Sequence, residues 1–206
     1  MKVLLINGSP HEKGCTYTAL SLIAGELKAQ GIDTEILHVG GQPVGGCIGC
    51  GGCRSGNGCV FGGVVNEAIE KAKTADAFVF GSPVHYASAA GNMASFMDRL
   101  AYAGGKYLAY KPAAICCSAR RAGTTSTLDQ LVKYPQFFHM PLVNGSYWAM
   151  VHGSNPEQVL QDAEGCAVMQ ELGRNMAWLL RCIEAGKAAG IDHPQNPPRP
   201  MTNFIR

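Results

Sequence analysis

Short unbroken apolar runs alternate along the chain with segments of helical spacing. Lys2 to Ile6 is such a run and ends in Asn7-Gly8-Ser9-Pro10. A run this short and continuous fits a strand buried on both faces, the habit of parallel sheets. Ala19, Leu20, Ile23, Ala24 and Leu27 then recur at helical spacing, and Gln30-Gly31 closes that helix. Thr34 to Val39 predicts a second strand, and residues 40–63 a loop dominated by Gly and Cys. Val64, Val65, Ala68, Ile69 and Ala72 mark a second helix, and Ala77 to Phe80 a third strand closed by Gly81-Ser82-Pro83. A third helix carries Ala89, Met93, Phe96, Met97 and Leu100. Pro112 to Ser118 is a fourth strand, and a helix follows from about Thr125 to Lys133. Residues 134–153 are broken by Pro135, Pro141, Asn144-Gly145 and Gly153, and read as a fifth, interrupted strand. Asn155-Pro156-Glu157-Gln158 is a helix start, with a capping Asn, Pro in the first turn and Gln three residues after the cap. The last helix runs from there to about Ala185, with Met169, Leu172, Met176, Leu179 and Ile183 as its core stripe.

This alternation predicts an α/β fold, a doubly wound five-stranded parallel sheet with helices on both faces. Residues 1–190 form one domain carrying the loop insertion 40–63, and the Pro-rich stretch 191–206 is an extended tail. In such sheets ligands bind at the carboxyl ends of the strands. The loops after the first, third and fourth strands are therefore where function is expected.

Composition narrows the classes. Apolar residues make up 47% and charged residues 16%, so the chain is globular rather than disordered. Seventeen basic and fifteen acidic residues leave a net charge of +2, which gives no electrostatic case for nucleic acid or an anionic membrane. Four apolar residues at the start are too few for a signal-peptide core, and no run is long enough to span a bilayer. The expected compartment is the cytosol. Nine cysteines, an odd number, then read as thiols or metal ligands rather than a disulfide framework.

The loop Gly8-Ser9-Pro10-His11-Glu12-Lys13-Gly14-Cys15-Thr16-Tyr17 feeds a helix N-terminus. Free backbone N–H groups and the positive end of the helix dipole make such a turn an anion site, most often for phosphate. Neither the dinucleotide Gly-x-Gly-x-x-Gly pattern nor a nucleoside-triphosphate loop is present. An ordinary helix start is the plain alternative. Pro83-Val84-His85-Tyr86 follows the third strand, where Tyr86 offers a flat face to a planar ring. Ser118-Ala119-Arg120-Arg121-Ala122-Gly123-Thr124 follows the fourth, with two arginines suited to an anionic or electron-rich ligand. Each loop is weak evidence alone; three on one sheet edge favour a site.

Cys47-x-x-Cys50-x-x-Cys53 precedes Cys59 by five intervening residues. Thiolates at this spacing wrap the corners of a 4Fe–4S cube, with Cys59 able to close it. Zinc and free or disulfide-bonded thiols are the alternatives. Cys116 and Cys117 lie in the fourth strand and Cys166 and Cys182 on the last helix, where Cys acts as a small hydrophobe.

Gly8-Ser9-Pro10 with Gly14-x-Thr16, Gly81-Ser82-Pro83-Val84-x-Tyr86, Asp98-Arg99 and the closing Thr202-Asn203-Phe204-Ile205-Arg206 together resemble the NADPH-dependent FMN reductase family. The cysteine spacing resembles its iron–sulfur flavoprotein branch. The resemblance implies a flavodoxin-like fold, bound FMN, and electrons drawn from NAD(P)H or a ferredoxin-type carrier for a small-molecule acceptor. It implies that Ser9, Pro10, His11, Cys15, Thr16 and Tyr17 surround the FMN phosphate. Pro83, Val84, His85 and Tyr86 would line one side of the isoalloxazine, and Ser118, Arg120, Gly123 and Thr124 the other. Arg120 or Arg121 would favour the reduced, anionic flavin. His11, Cys15 and His85 depart from the family's usual Arg, Asn and aromatic, so the phosphate grip leans on backbone N–H groups. Dimers or tetramers are common in the family. A pure electron carrier and a phosphate-ligand sensing module remain the competing classes.

Overall fold

Alternate residues of the first strand, β1 (Lys2–Asn7), face two different helical layers. Leu4 and Ile6 enter one core and Val3 and Leu5 the other. A computed structural model describes residues 1–204; Ile205 and Arg206, the last two of the closing motif, lie outside the described residues. After β1 come α1 (Cys15–Ala29), β2 (Asp33–His38), α2 (Val64–Thr74) and β3 (Ala77–His85). Then follow β4 (Ser88–Ala89), α3 (Gly91–Gly104), β5 (Ala113–Ala119) and α4 (Thr124–Phe137). The chain closes with β6 (Met150–His152), α5 (Pro156–Val159) and α6 (Ala163–Ala188).

Five strands pair in parallel in the order β2-β1-β3-β5-β6, as the alternation predicts. The sixth, β4, is an addition: two residues paired antiparallel to the end of β3. Helices α1 and α6 cover one face through Leu20, Ile23, Leu27, Met169, Leu172 and Met176. Helices α2, α3 and α4 cover the other, with Ile69, Met93, Phe96, Met97 and Leu131 packed on Phe78 and Phe80. Among the described residues no helix is long and apolar enough to cross a membrane.

The structure changes several expectations. First, β3 does not stop at Phe80 but continues through Pro83 to His85. Proline is tolerated there because β1 ends at Asn7, opposite Gly81, so β3 has one parallel neighbour at Pro83. Second, Asn155 caps only a one-turn helix; the long helix restarts at Ala163, where Asp162 accepts from the Gly165 N–H. Third, the stripe of α6 turns slightly. Met169, Leu172 and Met176 are buried, Leu180 takes the next buried place, and Leu179 and Ile183 are half-buried. Cys182 is exposed on that helix rather than packed. Residues 134–137, expected in the fifth, interrupted strand, continue α4 through Pro135 instead; the strand itself follows, where Leu142 bridges Ala113, residues 144–148 leave the sheet, and Ala149 and β6 rejoin β5 at Cys117.

Candidate functional site

The turn after β1 is built by short polar side chains. Asn7 is fully buried; its Oδ1 accepts from the Ser9 N–H and its Nδ2 donates to the Glu12 carbonyl. The Ser9 hydroxyl accepts from the His11 N–H. His38 Nε2 donates to the Ser9 carbonyl at 2.8 Å, from the end of the neighbouring strand. Gly40 fits against the same turn, where any Cβ would lie 2.2 Å from the Ser9 oxygen. Helix α1 then begins at Gly14 with no side-chain cap and no acidic residue in its first turn. Among the described residues the N–H groups of Thr16 and Tyr17 have no acceptor, and the Cys15 N–H meets only its own sulfur. This is the electrostatic profile of an anion cradle.

The side chains named there do not all serve the cradle. Thr16 is 1% exposed, and its hydroxyl shares a 2.8 Å hydrogen bond with Ser118 at the end of β5. That contact ties the first loop to the third across the sheet. The Cys15 thiol turns away toward the loop after β6 and donates to the Gly153 carbonyl. Burial pushes its pKa up, so no thiolate competes with an anion at the helix start. His11 and Pro10 are exposed on the outer rim.

Beyond Pro83, β3 and β4 make a hairpin, pairing Val84 with Ala89 and His85 with Ser88. Its two turn residues, Tyr86 and Ala87, both have left-handed backbone, with φ of 51° and 58°. A two-residue hairpin turn of this hand normally takes Asn or Gly. Helix α4 holds it in place. The Ser126 hydroxyl donates to the Ala87 carbonyl at 2.6 Å, and Gln130 Oε1 accepts from the Ser88 hydroxyl and the Ala89 N–H. Gly123 packs against the turn so closely that a Cβ would meet the Ala87 Cα at 2.7 Å. The result is a fully exposed Tyr86 on a braced finger, with His85 exposed beside it. Arg120 and Arg121 are exposed on the adjoining loop, and Thr124 is buried under it. The three loops chosen from the sequence are thus brought together, 9–17 with 118–124 through Thr16 and Ser118, and 83–89 with 118–124 through Gly123, with Ser126 of α4 bracing the contact.

The cysteine loop forms a second centre. Cys47, Cys50, Cys53 and Cys59 all line one cavity of about 310 Å³, walled by Ile48, Val60, Phe61, Arg99, Tyr102 and Ala103. Four sulfur donors on one cavity fit a sulfur-ligated cluster. Among the described residues no three Cys, His, Asp or Glu side chains converge as a single ion requires; a cube spreads its thiolates over separate corners. Cys59 is the fixed member. Asn66 takes its N–H at 2.8 Å and donates to its carbonyl at 3.0 Å, and Arg99 donates to its sulfur at 3.2 Å. Cys47 and Cys50 are exposed on irregular backbone.

The sequence model of the NADPH-dependent FMN reductases matches residues 1–155. The chain belongs to that family. An iron–sulfur flavoprotein of Methanocaldococcus jannaschii is 27% identical over 192 residues, covering 89% of this chain and 100% of the relative. The family's FMN-binding oxidoreductase character and its flavodoxin-like fold therefore apply here. Solved structures share that fold. RosB, with a bound formylriboflavin phosphate intermediate, has a TM-score of 0.71 at 14% identity and covers 100% of this chain and 94% of its own. A flavodoxin from the domain Archaea has a TM-score of 0.60 at 14% identity, covering 88% and 99%.

As an FMN reductase family member, the chain departs from the sequence expectations mainly in who does what. Asn7, His38, Ser126, Gln130 and Asn66 shape the two centres, and sequence spacing did not single them out. Their partners lie up to 42 residues away along the chain, so no local pattern links them. Asn7 alone had a local signal, as the Asn of an Asn-Gly turn after a strand.

Proposed function

We propose that this protein is an FMN-dependent oxidoreductase that moves electrons from NAD(P)H or a reduced ferredoxin-type carrier to a small-molecule acceptor. The observation that carries this reading is the set of three interlocked loops at the carboxyl edge of the sheet, opening on an uncapped helix start. In this reading the phosphate sits on the N–H groups of Cys15, Thr16 and Tyr17, with Ser9, Pro10 and His11 around it. Pro83, Val84, His85 and Tyr86 border the ring on one side, and Ser118, Arg120, Gly123 and Thr124 on the other. Bound FMN supplies interchange between one- and two-electron carriers. The protein's own groups hold the phosphate, fix the ring between two braced loops and place Arg120 and Arg121 where negative charge develops. His85 and Tyr86 are the groups within the site that can hold a proton for an acceptor that needs one.

Cys47, Cys50, Cys53 and Cys59 are proposed to hold a 4Fe–4S cluster, as the shared cavity and the iron–sulfur flavoprotein relative support. Its chemistry is single-electron storage. Exposed Ile48, Val60, Phe61 and Tyr102 border that cavity and favour a homodimer or homotetramer that covers it. A reducing cytosol would keep the thiols available.

The test is an anaerobic spectrum of freshly purified protein, with iron and FMN assayed on the same sample and NAD(P)H oxidation followed under the same conditions. Stoichiometric FMN with about four irons per chain is expected. Reduction by ferredoxin but not by NAD(P)H would mark an electron carrier instead. Failure to bind added FMN would sink the flavin reading altogether.

A further inference from the structure

Arg99 is a buried cation that no carboxylate among the described residues pairs with. The residue is 6% exposed, and among the described residues no ion pair involves it. The neighbouring Asp98 is engaged elsewhere, accepting from the Tyr134 hydroxyl at 2.6 Å. The three guanidinium nitrogens donate instead to groups of the cysteine loop. Nε donates to Cys59 Sγ at 3.2 Å, Nη2 to the Gly62 carbonyl at 3.0 Å and Nη1 to the Gly45 carbonyl at 3.4 Å. The Phe61 ring lies 5.5 Å away. Burying a guanidinium is costly unless negative charge lies beside it. Carbonyl dipoles and a ring face offset part of that cost. The cavity that Arg99 lines together with Arg54 and the four cysteines is where such negative charge would sit beside it.

The contacts have a second consequence. Gly45 and Gly62 flank the cysteine segment on both sides, so one side chain clasps both ends of the loop. Helix α3 supplies the rigid support, since Phe96, Met97 and Leu100 around Arg99 are all buried in the core.

We propose that Arg99 is the counter-charge and positioning residue for an anionic, sulfur-ligated centre in this cavity. It fixes Cys59, closes the loop through Gly45 and Gly62, and raises the reduction potential of the centre. This rests on the cluster reading above. The physical reason is direct: an added electron increases the negative charge of the centre, and a fixed cation donating to a ligand sulfur favours that more negative state.

The test uses the full chain, reconstituted anaerobically with ferrous iron and sulfide and titrated with dithionite. The potential of the cluster is read by electron paramagnetic resonance. Arg99→Gln, Arg99→Lys and Asn66→Ala are compared with the parent, and amide exchange over residues 45–62 is measured in the metal-free proteins. Arg99→Gln is expected to disfavour cluster reduction by about tenfold, a fall of about 59 mV for one electron. Arg99→Lys keeps the charge and should recover most of that fall. Asn66→Ala loosens the backbone of Cys59 without removing charge, so it should lower iron retention and leave the potential in place. Exchange over 45–62 should speed up about tenfold in Arg99→Gln, the equivalent of losing roughly one hydrogen bond to a charged group.

An unchanged potential in Arg99→Gln overturns the counter-charge role. So does an equal fall in Asn66→Ala, which would mean that any loosening of the loop has the same effect. If Arg99→Gln holds no cluster, the lysine variant and the exchange rates decide, and unchanged exchange overturns the clasp. A parent protein that takes up no iron overturns the cluster reading and the counter-charge with it; the exchange measurement then still judges the clasp alone.

Discussion

Ala87 shows how a single residue can carry backbone strain next to a binding edge. Its φ of 58° costs a non-glycine residue about 1–2 kcal/mol. Ala87→Gly is therefore expected to stabilise the protein by up to about 1 kcal/mol, read as a higher midpoint in chemical denaturation. The opposite change next door should hurt. Gly123→Ala combines a φ of 92° with a Cβ that would meet Ala87 and Val84 within 3 Å. It should lower stability by more than about 1 kcal/mol and weaken FMN binding in a fluorescence titration. Thr16→Val tests the link between the first and third loops. It leaves the buried Ser118 hydroxyl without its partner, at a cost of about 1–3 kcal/mol. The thiols give a pH test at this same scale. Burial pushes Cys117 up to about 12 and Cys116 higher still, so both stay neutral at pH 8. Alkylation at that pH, followed by peptide mass analysis, should label exposed Cys47, Cys50 and Cys182 first. Cys116 and Cys117 should react only after unfolding.

At the scale of elements, the strands and helices were legible where apolar periodicity was long. β1, α1, α2, α3 and β5 lie within a few residues of their sequence expectations, because each has one buried face or two. The end of β3 was not. Gly81-Ser82-Pro83 carries the local signature of a turn, yet pairing with β5 and β4 keeps the backbone extended to His85. Asn155-Pro156 likewise reads as the start of a long helix and caps a single turn. Electrostatics also joins elements. Glu35 on β2 bridges Lys2 on β1 and Lys71 on α2, both at 2.6 Å. Lys2, then Lys71, hold the Glu35 carboxyl below its ordinary range. A depressed carboxyl contributes stability above its unfolded pKa of about 4.3 and loses it as pH falls through the folded value. Glu35→Gln should therefore lower the melting temperature at pH 7, with the gap closing as pH falls below about 4.

At the scale of the molecule, two apolar layers hold the sheet and the cysteine loop touches one of them through Val44 and Cys59. Of residues 40–63, Val44 and Cys59 pack against the core, while most of the remainder is exposed. Limited proteolysis of metal-free protein should thus cut first within this loop. The nicked product should keep the far-ultraviolet circular dichroism of the parent, since both core layers lie outside the cut. The C-terminal segment is docked by other means. His193 stacks on Tyr110 at 4.4 Å, Asn196 donates to the Tyr110 hydroxyl, and Arg199 lies over Phe137.

The sequence by itself determined the order of elements, the parallel sheet, the three loops on its carboxyl edge and the four cysteines at cluster spacing. These follow from periodicity and from residues whose chemistry is local: an apolar run, a glycine turn, a spaced thiol. Tertiary structure decided what the loops do to one another. Thr16 meets Ser118 only because α1 crosses the end of β5, and Ser126 and Gln130 brace the hairpin only because α4 packs beside β4. Arg99 reads as the end of a family motif in sequence. Its burial and its hold on Cys59 and two glycine carbonyls exist only once α3 is packed beneath the loop, because hydrogen bonds and desolvation depend on distance in space and not along the chain.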